Sequence, residues 1–431
     1  MGLPAALLLL LLLLGFQPPT AHARTLRFIT LMYRHGDRAP MDTYPSDPHK
    51  EGPWPQGFRQ LTQVGVEQQR ELGQFLRQRY EAFLSPHYHP QEIYARSTDY
   101  DRTLASAQAN LAGLYPPGGA GPPNPAWQPV PVHTVPAAQD RLLRFPLQPC
   151  PRYQQLMEET THLPQHQARM HAWKVLGGTS PSSPQPGLAP PYASPSPQGF
   201  LEDIANLTGL GLEWATPRGI WKVYDALRCQ QIHGLQLPAW ATPRVLTTLG
   251  EIIAFDTLAH VGLYQVAEKA RLTGGVLLDA MLQNFSEVTR RSLPLRMVMY
   301  SGHDSTLIAL LAALGLYRGE LPPYAACLGF EFYQESNSTF SVGLFYRNES
   351  GRDFLELVLP GCPPPCPLER FTHLTQPVRP TDRARDCGCA QPPQGTGDTV
   401  PALAVTVAVL GLAVLGLGIL HWHQQQREGS A

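Results

Sequence analysis

The sequence carries almost no net charge and no basic tract. Its 33 Lys and Arg residues nearly balance its 34 Asp and Glu residues, which leaves a formal charge of −1. Proteins that bind nucleic acid usually present a strongly basic surface, so we expect no nucleic-acid partner. The sequence also lacks zinc-finger spacing, internal repeats and any His/Asp/Glu cluster with metal-ligand spacing. We therefore expect no metal and no other cofactor.

Two long apolar runs lie near the ends of the chain. Residues 1–15 are rich in leucine and are followed by Ala21-His22-Ala23, a small-x-small pattern typical of a cleavage site. We expect residues 1–23 to be a signal peptide, with an uncleaved anchor as the alternative because no Lys or Arg precedes the run. Residues 402–420 are uncharged and would span about 28 Å as a helix, close to the thickness of a bilayer.

These ends together predict a single-pass type I membrane protein. Its extracellular or lumenal part would comprise residues 24–390, followed by a stalk at 391–401, the transmembrane helix at 402–420 and a cytosolic tail at 421–431. A lipid-anchor signal is the competing interpretation of the second run. Such signals normally end in the apolar stretch, whereas a polar tail follows it here.

The cysteines and sequons agree with a secretory location. Seven cysteines lie in the predicted lumenal part, where an oxidising environment favours disulfides, and the odd number leaves one over. Their pairing cannot be derived from the spacing. Four Asn-x-Ser/Thr sequons predict N-glycosylation at exposed positions, namely Asn206, Asn284, Asn337 and Asn348.

The hydrophobic pattern predicts an α/β fold. An apolar strand at 26–33 is followed by an amphipathic helix at 61–84, and strand and helix signals then alternate to about residue 135. Such alternation is typical of a mostly parallel sheet flanked by helices. Residues 150–236 are mainly helical and would form an inserted, smaller cap, including a Ser/Pro-rich stretch at 179–197. The α/β core would comprise residues 24–149 and 237–390.

The most informative motif is Arg34-His35-Gly36-Asp37-Arg38, which directly follows the first strand. We expect Gly36 to permit a sharp turn and a close approach of the backbone to a ligand. Two further strand-to-helix junctions carry polar groups, Arg102 and His303-Asp304. Because the carboxyl ends of parallel strands share one edge, we expect all three junctions to meet in one pocket.

These residue types are suited to a phosphate monoester. Paired guanidinium groups bind phosphate oxygens, so Arg34, Arg38 and Arg102 would clamp the anion with His303 as a fourth donor. His35 would then attack phosphorus, while Asp304 would protonate the leaving group and later activate water. The arginines should lower the pKa of His35, and a bound phosphate should raise that of Asp304. Both effects predict an acid pH optimum.

Each of these residues also has a plainer interpretation. His35 could be a buried structural histidine, Arg102 could simply pair with Asp99 or Asp101, and His303-Asp304 could only cap a helix. The corresponding alternative function is an ectodomain that binds a partner with weak catalysis or none.

Four motifs occur in a fixed order, and the set resembles the histidine acid phosphatases over about residues 24–387. The motifs are Arg34-His35-Gly36-Asp37-Arg38-Ala39-Pro40, the segment 97–103, the segment 127–136 and the segment 299–304. The resemblance implies a phosphoglycerate-mutase-like fold with a helical cap, no metal and a homodimer. It implies His35 as nucleophile, Asp304 as proton donor, and Arg34, Arg38, Arg102 and His303 as the phosphate clamp.

The resemblance also implies three disulfides and bears on location. The bridges would be Cys150–Cys387, Cys229–Cys327 and Cys362–Cys366, with Cys389 left unmatched. The tail lacks the tyrosine of the sorting signal expected in a lysosomal relative, so we do not expect lysosomal residence.

Because phenolic leaving groups are the easiest to expel, phosphotyrosine proteins are a reasonable substrate.

Overall fold

The computed structural model describes residues 24–116, 129–145, 150–175, 199–348 and 353–389. The predicted signal peptide, the Ser/Pro-rich stretch, the stalk, the transmembrane helix and the tail lie outside these residues. The chain divides into two compact units, Met1–Thr381 and Asp382–Ala431. The described part of the second unit holds one helical turn, Arg383–Asp386, whose first amides are capped by the Asp382 side chain.

Within the described residues one sheet of eight strands forms the centre of the first unit. Seven of them follow the order β3-β2-β4-β1-β5-β6-β7, and β8 pairs with β6. The strands are β1 (Thr25–Arg34), β2 (Ile93–Ser97), β3 (Val132–His133), β4 (Met297–Gly302), β5 (Cys327–Gln334), β6 (Phe340–Arg347), β7 (Leu355–Leu357) and β8 (Cys366–Pro367).

The sheet is mixed, which corrects the expectation of a mostly parallel one. Strands β3, β2, β4 and β1 are parallel to one another. From β5 onward every pairing is antiparallel. For β5 and β6 the reason is local, because a short turn around Asn337 joins them and a tight hairpin can connect only antiparallel strands. The predicted site lies on the parallel half.

Helices connect and cover the strands. The first begins after Thr62, whose side chain accepts a hydrogen bond from the Gly65 amide and so caps it. In the first unit the described helices are α1 (Gln63–Arg79), α2 (Asp101–Leu114), α3 (Pro151–Thr161), α4 (Pro164–Val175), α5 (Phe200–Thr208), α6 (Pro217–Ile232), α7 (Pro243–Val261), α8 (Val266–Leu272), α9 (Gly274–Arg291), α10 (Asp304–Ala313) and α11 (Leu368–Thr375).

Strand β1 is buried on both faces, as its unbroken apolar run predicts. Phe28 and Met32 join one hydrophobic cluster, which contains side chains of α9 and α10. Ile29, Leu31 and Tyr33 point the other way and join a second cluster with side chains of α1 and α2. The alternation has the period of two that a strand imposes. Burial on both faces agrees with the central position of β1, between β4 and β5.

A third cluster is built mainly by helices α4 to α7 and includes Leu201, Val223 and Leu249. Tyr44, from the loop after the first motif, also packs into it. The helical segment predicted as a cap therefore has apolar packing of its own, to which α7 contributes. Among the described residues no single helix is long and apolar enough to cross a membrane; α7 and α8, bent by 81°, meet that criterion only as a pair.

The disulfides agree only in part with those implied by the resemblance. Cys362 and Cys366 form a bond, and Cys150 and Cys387 are the other disulfide-bonded cysteines. The Cys229–Cys327 bridge is wrong for this structure, since both thiols are free. Cys327 begins β5, where it pairs with Tyr33 inside the second cluster. Cys229 instead faces the Tyr324 hydroxyl at 3.6 Å.

The four predicted glycosylation sites differ in exposure. Asn206, Asn337 and Asn348 are exposed, as carriers of a glycan must be. Asn284 is half-buried, and its Nδ2 atom donates a hydrogen bond to the Tyr300 hydroxyl at 3.0 Å. A glycan on Asn284 would have to replace that hydrogen bond.

Candidate active site

The three polar junctions meet at the carboxyl ends of β1, β2 and β4. These strands are neighbours, with Arg34 of β1 level with Gly302 of β4 and Ser97 of β2 level with Ser301. Backbone hydrogen bonds extend the match beyond the strands, because the His35 amide donates to the Gly302 carbonyl at 2.9 Å. Segments about 270 residues apart in the chain thus form one site, as the sequence predicted.

His35 has the geometry of a nucleophile. Its side chain is almost fully buried, and Nδ1 lies 2.8 Å from the Gly36 carbonyl oxygen. A carbonyl only accepts, so Nδ1 carries the proton and Nε2 keeps its lone pair. Burial, followed by the charges of Arg34 and Arg102, lowers the pKa of His35 well below its usual 6.5. The neutral imidazole is therefore favoured below pH 6.5 as well.

Gly36 is required for packing against α1 rather than for an unusual backbone angle, and its approach to a ligand stays a prediction. Its φ is not in the left-handed region. A β-carbon at this position would lie 2.2 Å from the Gly65 carbonyl oxygen on α1. A β-carbon on Gly65 would in turn lie 2.1 Å from the Asp37 carbonyl oxygen. The two glycines let the motif and the first turn of α1 touch backbone to backbone.

Arg34 ends β1 and is held on three sides. Its Nη2 atom lies 2.8 Å from Oδ2 of Asp304, and Nη1 donates to the Pro322 carbonyl at 2.7 Å. The guanidinium also lies over the Tyr324 ring, 4.2 Å from its centroid. That ring stands 5.8 Å from the His35 ring, so Tyr324 forms one wall of the site.

Asp304 is the first residue of α10. One carboxylate oxygen faces Arg34, and the other accepts the Ser305 amide at 2.7 Å. Although burial opposes ionisation, the charges of Arg34 and Arg38 lower the pKa of Asp304. In this structure Asp304 is thus an ion-paired carboxylate. The predicted role as proton donor requires a bound phosphate to compete for Arg34.

Arg102, His303 and Thr98 form a chain of hydrogen bonds. Arg102 Nη2 approaches His303 Nδ1 at 3.4 Å, and His303 Nε2 lies 3.1 Å from the Thr98 hydroxyl. Because an arginine can only donate, Nδ1 accepts and Nε2 carries the proton. Burial, followed by the charge of Arg102, lowers the pKa of His303 to about 3. His303 is therefore a neutral side chain beside the clamp.

The alternative pairing of Arg102 with a neighbouring aspartate is not formed. Its guanidinium lies 5.0 Å from the Tyr100 ring centroid, while Asp101 accepts from Gln60 at 3.0 Å. Burial, followed by the charge of Arg38, lowers the pKa of Arg102 to about 10. Among the described residues Arg102 has no carboxylate partner, and a buried guanidinium of this kind is a good receptor for an anion.

Arg38 makes a bidentate ion pair with Asp225, which the sequence analysis did not identify. Asp225 of α6 accepts from Nη2 at 2.7 Å and from Nη1 at 3.0 Å. Beside it, Asp37 Oδ2 accepts from His233 at 2.7 Å and from Thr62 at 2.5 Å. Two residues of the motif are thus attached to α6 and to the residue directly after it.

Sequence reasoning also missed Tyr324. Neither Asp225 nor Tyr324 lies in a motif with a recognised spacing. Asp225 contacts Arg38, 187 positions away in the sequence, and Tyr324 contacts Arg34, which is farther away still. The only signal in the sequence was indirect: buried arginines require partners.

Arg96 forms an ion pair with Asp140, with 2.7 Å between Nη2 and Oδ1, in line with a structural role. No described group of three or more His, Cys, Asp or Glu side chains is placed to hold a metal.

Comparisons with known proteins point the same way. The sequence matches the histidine phosphatase superfamily (branch 2) over residues 25–176 and 207–347. It is 52% identical over 434 residues to human testicular acid phosphatase, covering 98% of this chain and 96% of that protein. It is 49% identical over 428 residues to human lysosomal acid phosphatase, covering 98% and 95%.

Solved structures show the same fold at lower identity. A phytase from Klebsiella sp. ASR1 superposes with a TM-score of 0.56 at 19% identity, covering 84% of this chain and 99% of the phytase. A phytase from Citrobacter braakii gives 0.53 at 18% identity, covering 85% and 99%. The family expected from the ordered motifs is confirmed, and with it the class of enzyme, a phosphatase. The chain belongs to branch 2 of the histidine phosphatase superfamily.

Proposed function

We propose that this chain is an acid phosphatase that hydrolyses phosphate monoesters through a phosphohistidine at His35. The observation that carries the proposal is the buried His35 ring, whose Nδ1 lies against the Gly36 carbonyl so that Nε2 is left unprotonated. Arg34, Arg102 and Arg38 lie near enough for their charges to lower its pKa. Such a cluster of cations neutralises the oxygens of a phosphoryl group and leaves phosphorus open to the imidazole.

In the first step Arg34, Arg38 and Arg102 bind the phosphate oxygens. Nε2 of His35 then attacks phosphorus, and the bond from phosphorus to the ester oxygen breaks. Asp304 delivers a proton to the departing oxygen. In the second step the Asp304 carboxylate takes a proton from water, which attacks the phosphohistidine and releases inorganic phosphate and free His35.

The proton balance explains why the optimum should be acid. Two carboxylates, Asp304 and Asp225, oppose the three arginine charges in this structure, so the site has a net charge of about +1. A phosphate monoester loses its second proton near pH 6. Below that pH the substrate arrives as a monoanion, and its proton can pass to Asp304 as the phosphate displaces the carboxylate from Arg34.

The substrate range proposed here includes phosphotyrosine proteins. Tyr324 stands beside His35, and Tyr100 lies 5.1 Å from the His303 ring, which gives the site aromatic walls. A phenoxide is also a better leaving group than an alkoxide. A panel of aryl and alkyl phosphates, together with a phosphotyrosine peptide, would test this range by comparing kcat/KM.

The remaining expectations concern the setting of the enzyme. We propose a type I membrane protein with a signal peptide at 1–23, a catalytic part at 24–390 in which residues 150–236 form the cap, a stalk at 391–401, a transmembrane helix at 402–420 and a cytosolic tail at 421–431. We also propose glycosylation at Asn206, Asn337 and Asn348, and a homodimer. Glycosidase treatment and sedimentation in detergent test these points.

The basic test of function is turnover of an aryl phosphate at pH 5 by the full chain. We expect wild-type activity that His35→Ala abolishes and that the matched His87→Ala leaves unchanged, because His87 is exposed on a loop far along the chain from the motif. If the wild type and His35→Ala are equally inactive, the chain binds phosphate or a partner without catalysis. Equal activity in both would remove His35 from the mechanism.

A further inference from the structure

Helix α6 holds Arg38 through a single carboxylate. Asp225 accepts from both terminal nitrogens of the guanidinium, and Oδ2 also accepts the Met41 amide at 2.8 Å. Both side chains are buried, with 3% of Arg38 and 10% of Asp225 exposed. A bidentate contact of this kind fixes the plane of the guanidinium as well as its position.

The contact leaves a defined pair of donors unused. A guanidinium has five N–H groups. Asp225 takes one from Nη1 and one from Nη2, and the Ala39 carbonyl takes the second of Nη1 at 3.1 Å. The Nε–H and one hydrogen of Nη2 remain, and Arg38 Nε is buried with no hydrogen-bond partner among the described residues. Two parallel N–H groups of this kind fit two oxygens of one phosphate.

We propose that Asp225 is a positioning residue that orients Arg38, so that its Nε–H and Nη2–H groups receive two oxygens of the substrate phosphate. Arg38 lies close enough to His35 and Asp304 for its charge to act on both. Through α6, the cap segment therefore takes part in building the phosphate clamp. This inference rests on the phosphatase function proposed above.

Attachment of α6 does not depend on Asp225 alone. His233 binds Asp37 at 2.7 Å, and Gln230 donates to Asp47 at 2.9 Å. Asp47 is a useful comparison because it is a buried carboxylate that also binds α6 but does not contact Arg38. A residue that merely fastens the helix should behave like Asp47, whereas one that orients Arg38 should not.

The test is a double-mutant cycle on the full chain with p-nitrophenyl phosphate. We expect Asp225→Asn to lower kcat/KM by about 10- to 100-fold, because the amide repels one of the two Arg38 donors. The inhibition constant of inorganic phosphate should weaken in parallel. In an Arg38→Ala background the same change should alter kcat/KM by only about 2-fold, because the group through which Asp225 acts is gone.

Controls separate the possible failures. Asp47→Asn should leave kcat/KM within about 2-fold of wild type, and an equal loss in Asp47→Asn and Asp225→Asn would overturn the inference. So would a full effect of Asp225→Asn in the Arg38→Ala background. If Asp225→Asn does not fold, Asp225→Glu keeps the charge but displaces Arg38, and unchanged phosphate inhibition in that variant would be contradictory. An inactive wild type would instead refute the proposed function.

Discussion

Two arginines of one five-residue motif are held by carboxylates from two regions of the molecule. Arg34 pairs with Asp304 on the neighbouring strand-to-helix junction, where 29% of the aspartate side chain is exposed. Arg38 pairs with Asp225 on α6, where only 10% of the aspartate side chain is exposed and both terminal nitrogens of the guanidinium donate to it. The first pair is made by one oxygen and can be exchanged for phosphate. The second pair is bidentate and buried, which suits a contact that holds Arg38 in one orientation.

The comparison predicts different responses to the leaving group, and this is the largest effect that we expect. Asp304→Asn removes the proton donor, so kcat/KM, which reports the formation of the phosphohistidine, should fall by about 10²- to 10⁴-fold with an alkyl phosphate. The loss should be much smaller with p-nitrophenyl phosphate, whose phenoxide needs no proton. Asp225→Asn acts on the phosphate and should lower both rates equally. This is tested by measuring kcat/KM for a series of aryl phosphates whose phenols differ in pKa. If the logarithm of kcat/KM depends on phenol pKa with the same slope in both variants, Asp304 and Asp225 do not have the different roles proposed.

The joint between the motif and α1 provides the next test. In Gly36→Ala a β-carbon would meet the Gly65 backbone at 2.2 Å, and backbone cannot move aside as a side chain can. We expect a loss of stability of about 1 to 3 kcal/mol, with a loss of activity because His35 and Arg38 shift together. Thermal and urea unfolding measure the first effect. Gly343→Ala is the control for space, since its φ is not in the left-handed region and its β-carbon would meet nothing closer than 3.5 Å; equal stability of Gly36→Ala and wild type would refute the packing argument.

Much of the site was predictable because it is local. The strand before the motif, the helix after Asp304 and the turn signals between them are all encoded within short segments. Parallel strands then bring His35, Arg102 and His303 to one edge without further information. Asp225 and Tyr324 were not predictable, because their contacts join segments that only the completed fold brings together.

The fold shows the same division between local and long-range information. The apolar run of β1 and the hairpin of β5 and β6 are evident in the sequence. The antiparallel pairing of β5 with β1 is not, since it depends on the direction in which the chain returns after α10. Helices α7 and α8 are separated by a bend of 81°. Apolar periodicity continues through both helices and so does not reveal the break.

The pH profile should separate the two carboxylates once more. Since burial and the neighbouring arginines lower the pKa of His35 well below its usual 6.5, the neutral form of the nucleophile is favoured on the acid side of that value. Since that of Asp304 is lowered too, its proton must come from the substrate monoanion. Above about pH 6, kcat/KM should fall about tenfold per unit. The decline should vanish in Asp304→Asn and persist in Asp225→Asn. A wild-type profile flat to pH 8 would contradict the role of Asp304.

The smallest effect that we expect lies on the third side of the clamp. Thr98→Val removes the hydroxyl that accepts from His303 Nε2 at 3.1 Å but keeps the shape of the side chain. The loss of one neutral hydrogen bond should lower kcat/KM by about 2- to 10-fold. Comparing the losses of kcat/KM in Thr98→Val and Asp225→Asn shows whether the residue that binds neutral His303 matters less than the residue that binds charged Arg38. A larger loss in Thr98→Val than in Asp225→Asn would reverse that ranking.

The central claim is that phosphate is carried on the His35 imidazole, and rapid acid-free trapping tests it most directly. The full chain is mixed with ³²P-labelled aryl phosphate at pH 5 and quenched in alkali and detergent, where phosphohistidine survives and acyl phosphate does not. We predict label on the peptide that contains His35, more of it in Asp304→Asn with an aryl substrate because hydrolysis of the intermediate is slowed, and none in His35→Ala. Label that persists in His35→Ala, or that is lost in alkali, would contradict the account.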